Sequence, residues 1–201
     1  MDVTVAILAD DTRNALCLNS AYSELQPNCQ AEDQWLDIKG RKVNYRRANA
    51  NDVATLVNYR IQFLNELGAR TGHQPQKGKT EVLRKNLRDY FSNAISSDDF
   101  IALLAECEGK IVGTGSMVVW RRPPRYGALE SGRAGYILNL YTIPEARRSG
   151  VCTKLLSRLI EEAKSLGLKY LHLHAAQDGI RIYKRAGFVE PDQPELRLKL
   201  E

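Results

Sequence analysis

One run constrains this chain more than any other: Tyr141-Thr142-Ile143-Pro144-Glu145-Ala146-Arg147-Arg148-Ser149-Gly150-Val151-Cys152-Thr153-Lys154-Leu155-Leu156. An apolar strand, read over 134–142, stops at a proline. A short basic turn holding one glycine follows, and an amphipathic helix starts directly after it. The first N–H groups of a helix have no partner inside it, and its dipole places partial positive charge there. Arg147 and Arg148 add full charges. A strand feeding such a turn into a helix N-terminus is a way to hold phosphate. Two familiar phosphate motifs are excluded. No glycine precedes Gly150 at P-loop spacing, and there is no G-x-G-x-x-G near a first strand.

The rest of the chain reads as alternating helices and strands. A short strand over 43–48 leads to a helix that Asn49 or Asn51 can cap. Val53, Leu56, Ile61, Leu64 and Leu67 give that helix an apolar stripe ending near Gly68. A polar, glycine-rich loop spans 69–79. Thr80 can cap a second helix with Leu83, Leu87, Tyr90, Phe91 and Ile95 inward. Phe100–Cys107 and Lys110–Trp120 read as strands joined by a Glu108-Gly109 turn. A basic loop with two prolines runs from Arg121 to Arg133. Val151, Leu155, Leu156, Leu159, Ile160, Ala163 and Leu166 form the buried stripe of the long helix, which Gly167 closes. A strand over 169–174, a short helix over 178–186 stopped by Gly187, and an alternating strand over 195–200 complete the pattern.

Three blocks together resemble one family. Arg147-x-x-Gly150-x-Cys152 resembles the acyl-CoA-binding signature [QR]-x-x-G-x-[GA] of the GNAT N-acetyltransferase superfamily, with Cys152 where glycine or alanine is usual. Leu171-His172-Leu173-His174-Ala175-Ala176-Gln177-Asp178-Gly179-Ile180-Arg181-Ile182-Tyr183-Lys184-Arg185-Ala186-Gly187-Phe188 resembles the strand–helix unit that ends the GNAT core, with Ala176 where many relatives carry asparagine. Asn44 to Asp52 resembles the family's first strand and turn. The resemblance covers about residues 43–201. It implies an α/β fold with a mixed twisted sheet of about six or seven strands and helices on both faces. Residues 1–42 fall outside it and read as an N-terminal extension: a strand over 3–8, a short helix over 17–24, and Trp35–Ile38 facing Arg41–Tyr45 across Lys39-Gly40.

The resemblance also implies the chemistry: acetyl transfer from acetyl-CoA to an amine in a ternary complex, with the loop and second helix after helix one shaping the acceptor pocket. Tyr183 matches the family tyrosine that protonates the leaving thiolate, and a phenol with a reference pKa of about 10 is protonated at neutral pH. Leu140, Tyr141 and Thr142 would line pantetheine through their backbone. Arg147, Arg148, Ser149, Gly150, Val151, Cys152 and Thr153 would surround the pyrophosphate, mostly through main-chain N–H groups. Candidate bases are Glu106, Glu130 and the strand neighbours His172 and His174, which share one face; Glu130 and His174 stand first. Asn139 is a polar residue in an apolar strand, suited to touching acceptor or cofactor. Cys152, at a helix N-terminus, would have a lowered pKa. Retention of Tyr183 favours turnover over the rival reading, a non-catalytic acyl-CoA-binding module to which Ala176 and Cys152 point.

Composition narrows the partners. The net charge is +5. Arg121, Arg122, Arg125, Arg147, Arg148, Arg181, Lys184 and Arg185 are expected to gather near the cofactor blocks, where a positive rim favours an anionic ligand. Neither a helix-turn-helix nor an aromatic RNA-binding signature is present, so nucleic acid is not expected as a partner. No apolar run approaches the ~18 residues that span a bilayer. Cys17, Cys29, Cys107 and Cys152 are scattered without a C-x-x-C pair. That argues against a metal site or a disulfide framework and fits a reducing cytoplasm. The C-terminal strand is an edge on which a homodimer could form.

Overall fold

The computed structural model describes residues 38, 40–72, 78–127, 129–130, 132–192, 195–196 and 198. Its sheet has five strands in sequence order: β1 (Val43–Arg47), β2 (Phe100–Cys107), β3 (Lys110–Arg121), β4 (Arg133–Thr142) and β5 (Leu171–His172). The first four pair antiparallel, and β5 runs parallel to β4. A parallel neighbour needs a crossover. Helix α3 (Val151–Ser165) supplies it. The sheet is mixed α/β as expected, with fewer strands than six or seven among the described residues. Of the strand expected over 195–200 only 195, 196 and 198 are described, and they are not in a strand; the readings for 3–8, 17–24 and 35–37 lie outside the described residues. Of the turn at Lys39-Gly40, Ile38 N–H donates to Arg41 C=O at 3.0 Å, and Gly40 has φ +85°.

Helices cover both faces because the strands alternate. On one face Leu155, Leu156 and Leu159 of α3 are almost fully buried against Val43, Ala105 and Met117. Full burial of one such side chain contributes about 1.5–3 kcal/mol. Two glycines let α3 and β4 close on β3. A Cβ at Gly113 would lie 2.9 Å from Val151 Cγ1, and one at Gly115 would lie 2.8 Å from Leu140 Cδ1. On the other face, α1 (Val53–Thr71) and α2 (Lys79–Ala94) bury Leu56, Val57, Ile61 and Phe91 against Phe100 and Leu104. The hairpin turn Glu108-Gly109 forms as read, with both residues at positive φ (+50° and +74°). That is the twist a two-residue hairpin favours.

Several boundaries differ from expectation, each for a local reason. Helix α1 passes through buried Gly68 and stops at Gly72, whose left-handed φ of +74° turns the chain. Gly78, also left-handed (φ +85°), precedes α2, so Thr80 sits inside the helix rather than capping it. Of the residues expected inward on α2, only Phe91 is fully buried; Leu87 and Ile95 are half-buried. Leu83 and Tyr90 are 37% and 45% exposed. Strand β5 forms a ladder at only two residues of the expected six.

Asn49 resolves the choice of cap. Its side chain accepts from Asn51 N–H at 2.9 Å, and its own N–H donates to Asp52 Oδ2 at 2.8 Å, closing a reciprocal capping box before α1. Arg46 reaches the same carboxylate with both terminal nitrogens, each at 2.8 Å. The Arg46 hydrogen bonds outweigh burial, and with the Asn49 N–H they hold the Asp52 pKa below its ordinary 3.8. A depressed carboxyl stabilises the fold above its unfolded pKa, and that stabilisation is lost as pH falls through the folded value. Asp52→Asn should therefore cost about 1–3 kcal/mol at pH 7. In urea titrations the gap to wild type should shrink below the ordinary carboxylate range. A gap unchanged down to pH 2 would contradict this role.

Candidate active site

The site begins where β4 and β5 part. They pair at Gly135–Leu171 and Tyr136–His172 and nowhere beyond. From Ile137 to Thr142 the β5-facing edge of β4 therefore has no ladder partner, while β3 continues to pair on the other side. Midway along this edge the register slips. Thr114 pairs with Tyr141 but Ser116 pairs with Leu138, so two residues of β4, Asn139 and Leu140, oppose the single Gly115. Asn139 takes φ +54°, which asparagine tolerates better than most residues. This β-bulge restores the alternation so that Leu140 lies toward Gly115 and α3, and Tyr141 toward α1. Asn139 is buried, and its Oδ1 has no hydrogen-bond partner; nor has the buried Thr142 hydroxyl.

After Thr142 the chain makes a 3-10 turn (Pro144–Ala146) and then two left-handed residues, Arg148 (φ +63°) and Gly150 (φ +89°). Helix α3 starts there without a side-chain cap. Its first bond within or onto the helix is Lys154 N–H to Gly150 C=O, 3.0 Å. The N–H groups of Gly150, Val151, Cys152 and Thr153 precede it and are left for a ligand. Val151 is buried as the first core residue of α3, Thr153 is exposed, and Ser149 donates to Ala146 C=O at 2.7 Å.

The Arg147 side chain faces the other way. It donates from Nε to Thr142 C=O (3.1 Å) and pairs through an Nη with Glu66 of α1 (2.6 Å). Tyr141 donates to the same carboxylate at 2.7 Å, and its ring lies 5.7 Å from that of Tyr59. Burial alone would raise the Glu66 carboxyl. The Tyr141 hydroxyl and the Arg147 and Arg70 guanidiniums outweigh it and lower the pKa. Burial and the bond to Glu66 push Tyr141 up to about 12. Glu66 was not read from the sequence as a site residue. The visible signal was the polar series Gln62, Glu66, Arg70, one helical turn apart on α1.

Tyr183 stands on α4 (Ile180–Arg185), its ring 6.0 Å from that of Phe188. A Cβ at Gly179 would lie 3.1 Å from the tyrosine ring, so the glycine four residues earlier is what lets the ring fold back. Burial, with Cys152 close by, raises Tyr183 to about 12. The structure thus brings α4 beside the start of α3. Burial also pushes the Cys152 thiol up to about 11. This is opposite to the lowered pKa expected from its place at a helix N-terminus, and its cause is desolvation by burial.

Other candidates are not brought to this place. Glu130 is exposed in the loop before β4, at the end of the strand opposite the phosphate turn. Along a ten-residue strand that is about 30 Å away. Glu106 is held by Arg46 at 3.1 Å. Arg121, Arg122 and Arg125 belong to that far end too, so the basic cluster is split. Arg122 lies over Trp120 (4.3 Å) and Arg125 over Tyr170 (3.9 Å). Lys184 pairs with Glu190 at 2.9 Å. His172 and His174 do share the α1 face beside the gap. His172 packs on Trp120 (5.6 Å) with Nε2 unpartnered; burial first, then Arg122 and Arg125, lower its pKa. His174 bonds the Tyr136 hydroxyl through Nδ1 and pairs with Glu195 through Nε2 at 3.1 Å. A 300 Å³ cavity lined by Tyr45, Arg47, Arg158 and Glu162 lies toward the C-terminal end of α3, away from the turn.

A family model described as the acetyltransferase (GNAT) family matches residues 62–188. The chain belongs to the GNAT family. A predicted acetyltransferase from Clostridium acetobutylicum, solved with acetyl-CoA, is 32% identical, with a TM-score of 0.68 over 78% of this chain and 96% of that one. A GCN5-related N-acetyltransferase from Ralstonia eutropha shares the GNAT fold at 21% identity, with a TM-score of 0.67 over 78% of this chain and 98% of that one. A ribosomal-protein-alanine N-acetyltransferase from Brucella melitensis does so at 17% identity and a TM-score of 0.58, over 79% and 99% of the two chains. No curated protein matches in sequence. Among the described residues no helix is long and apolar enough to cross a membrane, and no His/Cys/Asp/Glu group is arranged to hold a metal.

The raised thiol gives a direct check. Peptide-resolved alkylation of the native protein at pH 8 should leave Cys152 unmodified over a period in which a free thiol is fully labelled. Rapid labelling of Cys152 at neutral pH would show that the helix N-terminus, not burial, controls it.

Proposed function

We propose that this GNAT protein is an N-acetyltransferase that moves the acetyl group of acetyl-CoA directly to an amine. The observation that carries the reading is the β5-facing edge of β4 from Ile137 to Thr142, which no strand pairs, leading through left-handed Arg148 and Gly150 to the open start of α3. The β4 edge offers amide-like pantetheine a strand to pair with. The N–H groups of 150–153, with the exposed Arg148 beside them, suit a pyrophosphate.

In this reading the amine nitrogen attacks the thioester carbonyl carbon, and a β4 N–H beside the bulge donates to the oxyanion. The carbon–sulfur bond then breaks. Tyr183, kept protonated by burial, gives its proton to the departing thiolate. The amine's proton leaves through His172 on β5 or His174 just beyond it. His172 is held neutral with Nε2 unengaged, whereas His174 is already committed to Tyr136 and Glu195. Arg147 acts by fastening the turn to α1 through Glu66. Holding both substrates together supplies much of the rate.

Titration calorimetry with acetyl-CoA and free-thiol release with an amine panel test this together. Wild type should bind and turn over. Gly150→Asp, which puts a strained residue and a negative charge at φ +89°, should abolish binding. Tyr183→Phe should bind normally but release thiol roughly 100-fold or more slowly. Binding without release across the panel would make the protein a non-catalytic acyl-CoA module. No binding by the folded protein would sink the reading.

A further inference from the structure

The gap between β4 and β5 has two faces. The α3 face carries the helix start proposed for the pyrophosphate, so an acceptor must come from the α1 face. That face is lined by aromatic and cationic groups. Trp120 packs on Tyr136 (5.8 Å) and on His172 (5.6 Å), and Tyr136 packs on His174 (5.7 Å). Helix α1 packs against β4 and carries Arg60 on its inner side, between buried Val57 and Ile61. Tyr136, near enough to act on Arg60 electrostatically, is three residues before the bulge, about 10 Å along the strand.

Arg60 is the anomaly on this face. It is half-buried, and among the described residues no carboxylate or carbonyl is its partner. Its guanidinium lies 5.4 Å from the Phe63 ring, and the titratable groups near enough to act on it are two phenols, Tyr90 and Tyr136, both neutral at pH 7. The nearby ion pairs are closed among themselves: Glu66 holds Arg147 and Arg70, and Glu195 holds His174. Arg122 and Arg125 act on His172 from the far end of the sheet, with Glu195 acting against them. An unpaired guanidinium partly removed from water is unfavourable, and a bound anion relieves it. Guanidinium geometry suits two-point binding of a carboxylate or phosphate.

We infer that Arg60 is the specificity determinant of the acceptor pocket, and that the amine acceptor carries an oxyanion, a carboxylate or a phosphate, which Arg60 holds while the amine reaches the thioester. This rests on the acetyltransferase reading. Aromatic walls from Tyr136, Trp120 and Phe63 would cover the carbon skeleton between the two groups.

Matched acceptor pairs test it, using the full chain and acetyl-CoA with thiol release as the readout. One arm compares α-amino acids with their carboxamides. The other compares phosphoethanolamine with ethanolamine, which separates carboxylate from phosphate. The charged member of at least one pair should be preferred about tenfold or more in kcat/KM. Arg60→Gln should collapse that ratio toward one, mainly through KM. Arg60→Lys should restore part of it, and acetyl-CoA titration should confirm that both variants are folded and loaded. Equal use of neutral and charged members, or a preference that survives Arg60→Gln, would overturn the inference. If no amine releases thiol, the acetyltransferase reading fails instead. Calorimetric titration of the same anionic compounds into wild type and Arg60→Gln then still decides whether Arg60 holds an oxyanion: binding to wild type alone supports it, and equal or absent binding refutes it.

Discussion

The proposed function depends on β4 being bonded along one edge and released along the other. Strand β3 holds it from Arg133 to Thr142, while β5 leaves after Tyr136. A row of unpaired main-chain groups inside a protein is costly unless something satisfies it. Here the row leads straight to a second unsatisfied set, the N–H groups at the start of α3. The bulge at Asn139 joins the two. By inserting one residue it directs Leu140 into the α3 core and Tyr141 toward α1.

A second constraint fixes the turn in space. Glu66 gathers Tyr141, Arg147 and Arg70 at one carboxylate. These groups are part-exposed, so their ion pairs add little to stability, about 0–1 kcal/mol each. Their effect is positional: they tie α1 to the end of β4 and to the first residue of the basic turn. Arg147, expected at the phosphate from the sequence, here bonds Glu66 and the Thr142 carbonyl. In the proposed function the phosphates would meet backbone N–H groups, the exposed Arg148 and the helix dipole.

Much of this was legible in the sequence because it is local. The Glu108-Gly109 turn, the apolar stripe of α3, the stops at Gly167 and Gly187 and the strand–turn–helix run all follow from residues within a few positions of one another. What stayed hidden is non-local or competitive. Glu66 and Arg147 are 81 positions apart, and nothing in either neighbourhood names the other. Charge alone groups the arginines of 121–125 with the cofactor site, but strand direction carries them to the opposite end of the sheet. Thr80 lost its capping role to Gly78, whose left-handed conformation ends the loop one residue before α2. The Cys152 thiol depends on burial by elements far away in sequence, and the dipole argument could not weigh that.

The central claim is that one continuous backbone surface, the free edge of β4 and the open start of α3, receives acetyl-CoA. Amide hydrogen exchange, compared with and without saturating acetyl-CoA, tests this at residue level. Added protection should appear in both 137–142 and 148–153, with β2 and the β2–β3 turn unchanged. Protection confined to one of the two segments, or absent from both while the ligand is bound, would contradict the account.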